Sequence, residues 1–151
     1  MNNDKINDLL NRIEELERII ITDSLTGAYS RNYFFNYLSM TEYIGGKIYF
    51  IDLNDFKKIN DEKGHVCGDE LLRNFAKELE NCLGAYGRLI RYGGDEFVII
   101  SKTPLNFSKI KKKFNFSVGS TRITSEASDK LLQRADRAMY HKKKSKKATI
   151  D

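Results

Sequence analysis

One proline, two cysteines and two histidines are all that this 151-residue chain contains of those residues, and each scarcity closes off a class of protein. With so little proline, and with nine Phe and eight Tyr among 40% hydrophobic residues, the composition lies far from that of a disordered chain. Cys67 and Cys82 stand alone, without CxxC spacing or a neighbouring His pair, so neither a zinc site nor a disulfide framework is indicated, and a reducing, cytoplasmic setting is expected. His65 has no second histidine near it in sequence and reads as a loop or packing residue. No uncharged apolar run approaches the ~18 residues that span a bilayer. The polar opening MNNDKINDLL is no signal peptide, which predicts no direct membrane insertion and leaves an upstream sensor open.

What is present is charge, unevenly placed. Lys and Arg number 5, 7 and 14 in residues 1–50, 51–100 and 101–151, against 7, 10 and 4 Asp and Glu. An acidic middle beside a basic tail suits a metal site next to a polyphosphate site, whereas nucleic-acid binding calls for a basic coat throughout. The blander alternative is that HKKKSKK is a solvated helix end.

The length fits one domain with an appended element. Ile6, Leu9, Ile13, Leu16 and Ile20 recur at steps of three and four, the a/d pattern of a two-stranded coiled coil, although an amphipathic helix lying on its own domain gives the same spacing. A helix is expected over about 31–40. The unalternating run IYFIDL predicts a central strand buried on both faces and ending in Asp52. Residues 69–83 carry a core-facing helical stripe. RLIRY and EFVII read as two strands joined at GGD, with the glycines supplying positive φ. A further strand over 114–120 and a helix capped by Ser128 complete an α/β arrangement of sheet and packed helices.

Asp52 closes one strand, and Asp95 and Glu96 occupy a hairpin tip. If those strands are neighbours the three acids meet, and crowded like charges are tolerable only beside a cation. Oxygen ligands of this kind select Mg²⁺ or Mn²⁺, which support nucleotidyl transfer. An ordinary acidic turn is the alternative. Backbone N–H groups near Asp55 and Phe56, at a helix start, suit phosphate oxygens. Asn60 and Asp69 offer edges complementary to guanine, or else plain turn and cap chemistry.

The segments DSLTGAYSRNYF, FIDLNDFKKINDEKGHVCGDELL, RYGGDEF and RADRAMYHKKK follow one another in an order and spacing that resembles the GGDEF family, the diguanylate cyclases, over about residues 21–147. The resemblance implies an α/β (α+β) palm-like fold related to nucleotide cyclases and polymerases. Its central, mostly antiparallel sheet is flanked by helices, with a coiled-coil helix at 1–21 and a compact catalytic domain at 22–151. It implies condensation of two GTP into cyclic di-GMP with loss of pyrophosphate, in a homodimer whose sites face each other. By position, Asp52, the Leu53 carbonyl, Asp95 and Glu96 match the metal ligands, with Asp95 also accepting the 3′-hydroxyl proton and Glu96 assisting. Asn60 and Asp69 match the guanine readers. Phe56, Lys57, Gly93, Gly94, Lys143 and Lys147 match the substrate contacts, Lys147 standing where an arginine is usual.

Three departures accompany the match. Where the family has an inhibitory Arg-x-x-Asp, this chain has Gly84-Ala85-Tyr86-Gly87, so no inhibitory product site is expected. The peripheral segment 102–113 is short, and HKKKSKK replaces the usual tail. A cyclase making another cyclic nucleotide, or a silent GTP-binding module, are the rival expectations.

Overall fold

A computed structural model describes residues 2–150, with side chains through Ser145. The chain runs through α1 (Asn3–Ile21), β1 (Tyr29–Ser30), α2 (Arg31–Asn36), β2 (Lys47–Leu53), α3 (Phe56–Lys63) and α4 (His65–Leu83). It continues with β3 (Gly87–Arg91), β4 (Glu96–Ser101), α5 (Ser108–Lys111), β5 (Phe116–Arg122) and α6 (Ser128–Ile150). The strands form one sheet in the order β1-β3-β4-β2-β5. Only the short β1–β3 pair is parallel; β3–β4, β4–β2 and β2–β5 are antiparallel.

The absence of alternation in IYFIDL has a simple origin: β2 is covered on both sides. Tyr49, Ile51 and Leu53 face a core built with Leu72, Phe75 and Leu79 of α4. Ile48 and Phe50 face a second core, with Leu131, Ala135 and Met139 of α6. Successive strand side chains point to opposite faces, so Asp52 follows Ile48 and Phe50 onto the α6 side. On β4 the same parity puts Glu96 with Val98 and Ile100, also toward α6.

The position of α6 depends on Gly119 in β5. A methyl group there would overlap the backbone of Ala135, Ala138 and Met139, so glycine lets the helix axis lie close to the sheet. Leu131, Ala135 and Met139 recur along the buried face, and Lys143 is the next position on that stripe.

Three expectations change at their edges. Helix α2 ends at Asn36 rather than near residue 40: Tyr37 N–H and Leu38 N–H both donate to the Tyr33 carbonyl, and Leu38 and Met40 turn back onto the α6-side core. Strand β5 begins at Phe116. Ser128 is the first residue of α6, and the carbonyl of the preceding Ala127 accepts from Lys130 and Leu131. In the short segment after β4, Phe107 and Ile110 are buried and Leu105 N–H donates to the Tyr49 hydroxyl at 2.9 Å, so one helical turn closes the α4-side core.

Candidate functional site

The acids named from sequence come together where β2 ends and β4 begins. Asp52 is paired in register with Glu96, and Leu53 N–H donates to the Asp95 carbonyl at 3.1 Å. Burial and then the neighbouring Asp52 charge push the Asp95 carboxyl above its ordinary range, with Lys143 opposing. Glu96 is likewise raised, first by burial, then by Asp52, Asp95 and Asp136, against the pull of Arg31.

The hairpin differs from the expected tight turn. The β3–β4 ladder closes at Arg91 opposite Phe97, and Tyr92–Asp95 form a four-residue loop between the strands. Tyr92 and Gly93 N–H groups both donate to the Glu96 carbonyl, at 2.8 and 3.2 Å. Neither Gly93 nor Gly94 adopts positive φ, because a loop of this length needs no left-handed residue. Gly93 has a different effect: it leaves the space that the Glu96 carboxylate occupies, and a β-carbon there would make that side-chain end shift. Gly94 meets open space, and its carbonyl accepts from Arg91 Nη2 at 2.8 Å. Arg91 Nη1 also reaches both oxygens of Asp23 at 3.2 Å.

After β2 the chain turns through Asp55, a non-glycine residue at φ 58°, and starts α3 with the free N–H groups of Phe56 and Lys57 at its first turn. Asn54 fastens this turn to β5: its amide donates to Asn115 Oδ1 at 2.8 Å and accepts from Ser117 Oγ at 2.9 Å. Helices α3 and α4 fold back at Gly64, φ 87°. Between them Asn60 Oδ1 is buried without a partner, in space left by Gly68, whose β-carbon would overlap it. Asp69 is the next residue, half-buried. His65 is exposed at the start of α4.

Lys143 Nζ donates to Asp52 Oδ2 at 2.9 Å. The Lys147 side chain lies outside the described residues. Among the described residues, no three His, Cys, Asp or Glu side chains form a ready metal cage. Glu96 leans toward Gly93 and Lys143 holds one Asp52 oxygen. The donor set nonetheless fits a hard cation: Asp52 Oδ1 is buried with no donor, and Asp95 and Glu96 are held among like charges. Asp136, Arg31, Asn54 and the Asp23–Arg91 pair escaped the reading of the sequence. Their only signal there was membership of the quoted segments or proximity to them.

The site thus combines clustered acids at the ends of two antiparallel strands, the exposed first turn of α3 and a half-buried amide pocket, on a mixed α/β sheet. The chain belongs to the GGDEF family: the profile described as "Diguanylate cyclase, GGDEF domain" matches residues 20–106. It is 31% identical over 167 residues to the response regulator PleD of Caulobacter vibrioides, covering 91% of this chain and 37% of PleD. It is 32% identical over 142 residues to the probable diguanylate cyclase DgcI of Escherichia coli, covering 85% of this chain and 32% of DgcI. The chain thus spans about a third of the length of these curated relatives. The fold matches the coiled coil and GGDEF domain of DgcB from Caulobacter crescentus, solved with c-di-GMP, at a TM-score of 0.78 and 23% identity, covering 94% of this chain and 90% of that one. No helix among the described residues is long and apolar enough to cross a membrane.

Proposed function

We propose that this chain is a diguanylate cyclase domain that joins two GTP molecules into cyclic di-GMP. The observation that carries the reading is the junction of Asp52 with the Asp95–Glu96 hairpin on the face covered by α6. Asp52, the Leu53 carbonyl, Asp95 and Glu96 would hold Mg²⁺ or Mn²⁺. Such an ion acidifies the attacking hydroxyl and stabilises charge on the departing oxygen. Asp95, the hairpin acid beside Asp52, would take the proton of the 3′-hydroxyl. In each of two steps a 3′-oxygen to α-phosphorus bond forms, the α–β bridging bond breaks, and pyrophosphate leaves with the electron pair.

Asn60 and Asp69 read the guanine edge, the carboxylate accepting from its N–H donors. Phe56 and Lys57 N–H groups, with Gly93 and Gly94, cradle phosphates. Lys143 and Lys147 supply positive charge to the triphosphate. One site holds one GTP, so two copies must face each other, and the apolar stripe of α1 brings them together. Feedback inhibition through an Arg-x-x-Asp site has no residues to act through at 84–87.

The test is incubation with Mg²⁺ and each nucleoside triphosphate, singly and mixed, followed by chromatography. Cyclic di-GMP from GTP alone is expected, and Asp95→Asn should lose at least about 100-fold in rate, the usual contribution of a positioned base. A different cyclic product, or none, would replace this reading with one of its rivals.

A further inference from the structure

Two groups that the proposed function sends to different partners are bound to each other. Asp52 is assigned to a divalent cation and Lys143 to a triphosphate, yet Lys143 Nζ sits 2.9 Å from Asp52 Oδ2, with 33% and 18% of the two side chains exposed. The other carboxylate oxygen, Oδ1, is buried with no donor among the described residues. One ammonium therefore offsets part of the charge gathered from Asp52, Asp95 and Glu96, and it does so at the oxygen next to the free one. The helix that carries it is fixed, since Gly119 seats the backbone of Ala135–Met139 directly on β5. The four-carbon lysine stem is the part free to swing.

Resting on the reading above, we propose that Lys143 is an internal counter-cation that a divalent ion displaces from Asp52, so that metal and triphosphate binding become one cooperative event. A cation arriving alone meets the repulsion of the ammonium. A triphosphate arriving alone draws Lys143 away and leaves Asp52 enclosed without its partner, which is costly because the carboxylate keeps its desolvation penalty. Arriving together, the two ligands break the ion pair once, and each satisfies the group that the other releases. Linkage makes the coupling reciprocal, and about tenfold is expected for a pair that keeps some solvent contact.

The measurement is the affinity of the full chain for Mn²⁺ without nucleotide, followed through the paramagnetic resonance signal of the free ion. Lys143→Met and Lys143→Gln should each bind Mn²⁺ about three- to tenfold more tightly than wild type, as expected when a competing charge at coupled distance is removed. Lys142→Met, which deletes the same charge from the exposed neighbouring position, should not. With an α,β-methylene analogue of GTP in calorimetry, Mn²⁺ should tighten binding less in both Lys143 variants than in wild type. Lys143 variants that bind Mn²⁺ no more tightly than Lys142→Met overturn the proposal. Asp52→Asn separates the two levels. If it abolishes Mn²⁺ binding while the Lys143 variants leave it unaltered, the metal site stands and only the displacement fails. Mn²⁺ binding that survives Asp52→Asn removes the site assignment and this proposal together.

Discussion

Gly68 and Gly93 serve one purpose with different neighbours: each leaves room for a polar side chain that sits where a β-carbon would be. At Gly68 the neighbour is Asn60 Oδ1, with Phe56 Cζ at 3.4 Å from the same point. Gly68→Ala should drive the Asn60 amide out of its pocket and weaken GTP binding about tenfold, the loss of one hydrogen bond worth about 1.4 kcal/mol. Calorimetry should give Asn60→Ala a similar loss and the double variant little more, because both changes remove one contact. Asp23 supports a pH prediction. Burial raises its carboxyl, but two hydrogen bonds from Thr26 and the charge of Arg91 outweigh that and hold it below the ordinary value. A depressed folded-state pKa adds stability that is present above the unfolded-state value and is lost as pH falls through the folded one. Asp23→Asn should therefore cost about 1–2 kcal/mol at pH 7 in urea unfolding, discounted for partial solvent screening. The gap should narrow as pH drops below about 4.

At the scale of elements, the site depends on how closely α6 lies on β5. Gly119→Ala must move either the helix or the strand, since the overlap is with backbone rather than with a flexible side-chain end. A destabilisation of about 1–3 kcal/mol is expected from such overpacking, together with loss of the 2.9 Å Lys143–Asp52 contact. Thermal unfolding and GTP titration would check the two effects separately. This scale also divides what could be read in the sequence from what could not. The apolar run of β2 announced a strand buried twice over, and Asp52, one residue before the strand's end at Leu53, was legible with it. The acids at 95–96 were legible because two β-rich runs flank them. Asn54 was not, since its partners Asn115 and Ser117 lie 61 and 63 residues away. Arg91 with Asp23, 68 residues apart, was hidden for the same reason. The two hairpin glycines do not take the positive φ that the sequence suggests, because the loop length follows from where the ladder ends, at Arg91 opposite Phe97.

For the whole molecule, the decisive feature is α1, which contains no buried residue. Seven large apolar side chains, Ile6, Leu9, Leu10, Ile13, Leu16, Ile19 and Ile20, are 41–66% exposed along it. That favours pairing with a second copy over the alternative of a helix lying on its own domain. The end of the helix is fastened to the sheet domain: the Ile20 carbonyl accepts from Ser30 Oγ at 2.7 Å, and Thr22 bridges Tyr29. One residue further, Asp23 holds Arg91, which holds the Gly94 carbonyl. A change in the crossing of two α1 helices would thus reach the loop carrying Asp95 through four side-chain and backbone contacts. Placing a charge on the stripe, as in Ile13→Asp with Leu16→Asp, should leave each domain folded, because both side chains are exposed. The dimer proposed above should then be lost in sedimentation analysis. Cyclase activity per molecule should then fall in dilute protein and climb back as concentration rises, since encounter replaces tethering. Activity independent of dilution in both wild type and variant would show that α1 does not bring the two sites together.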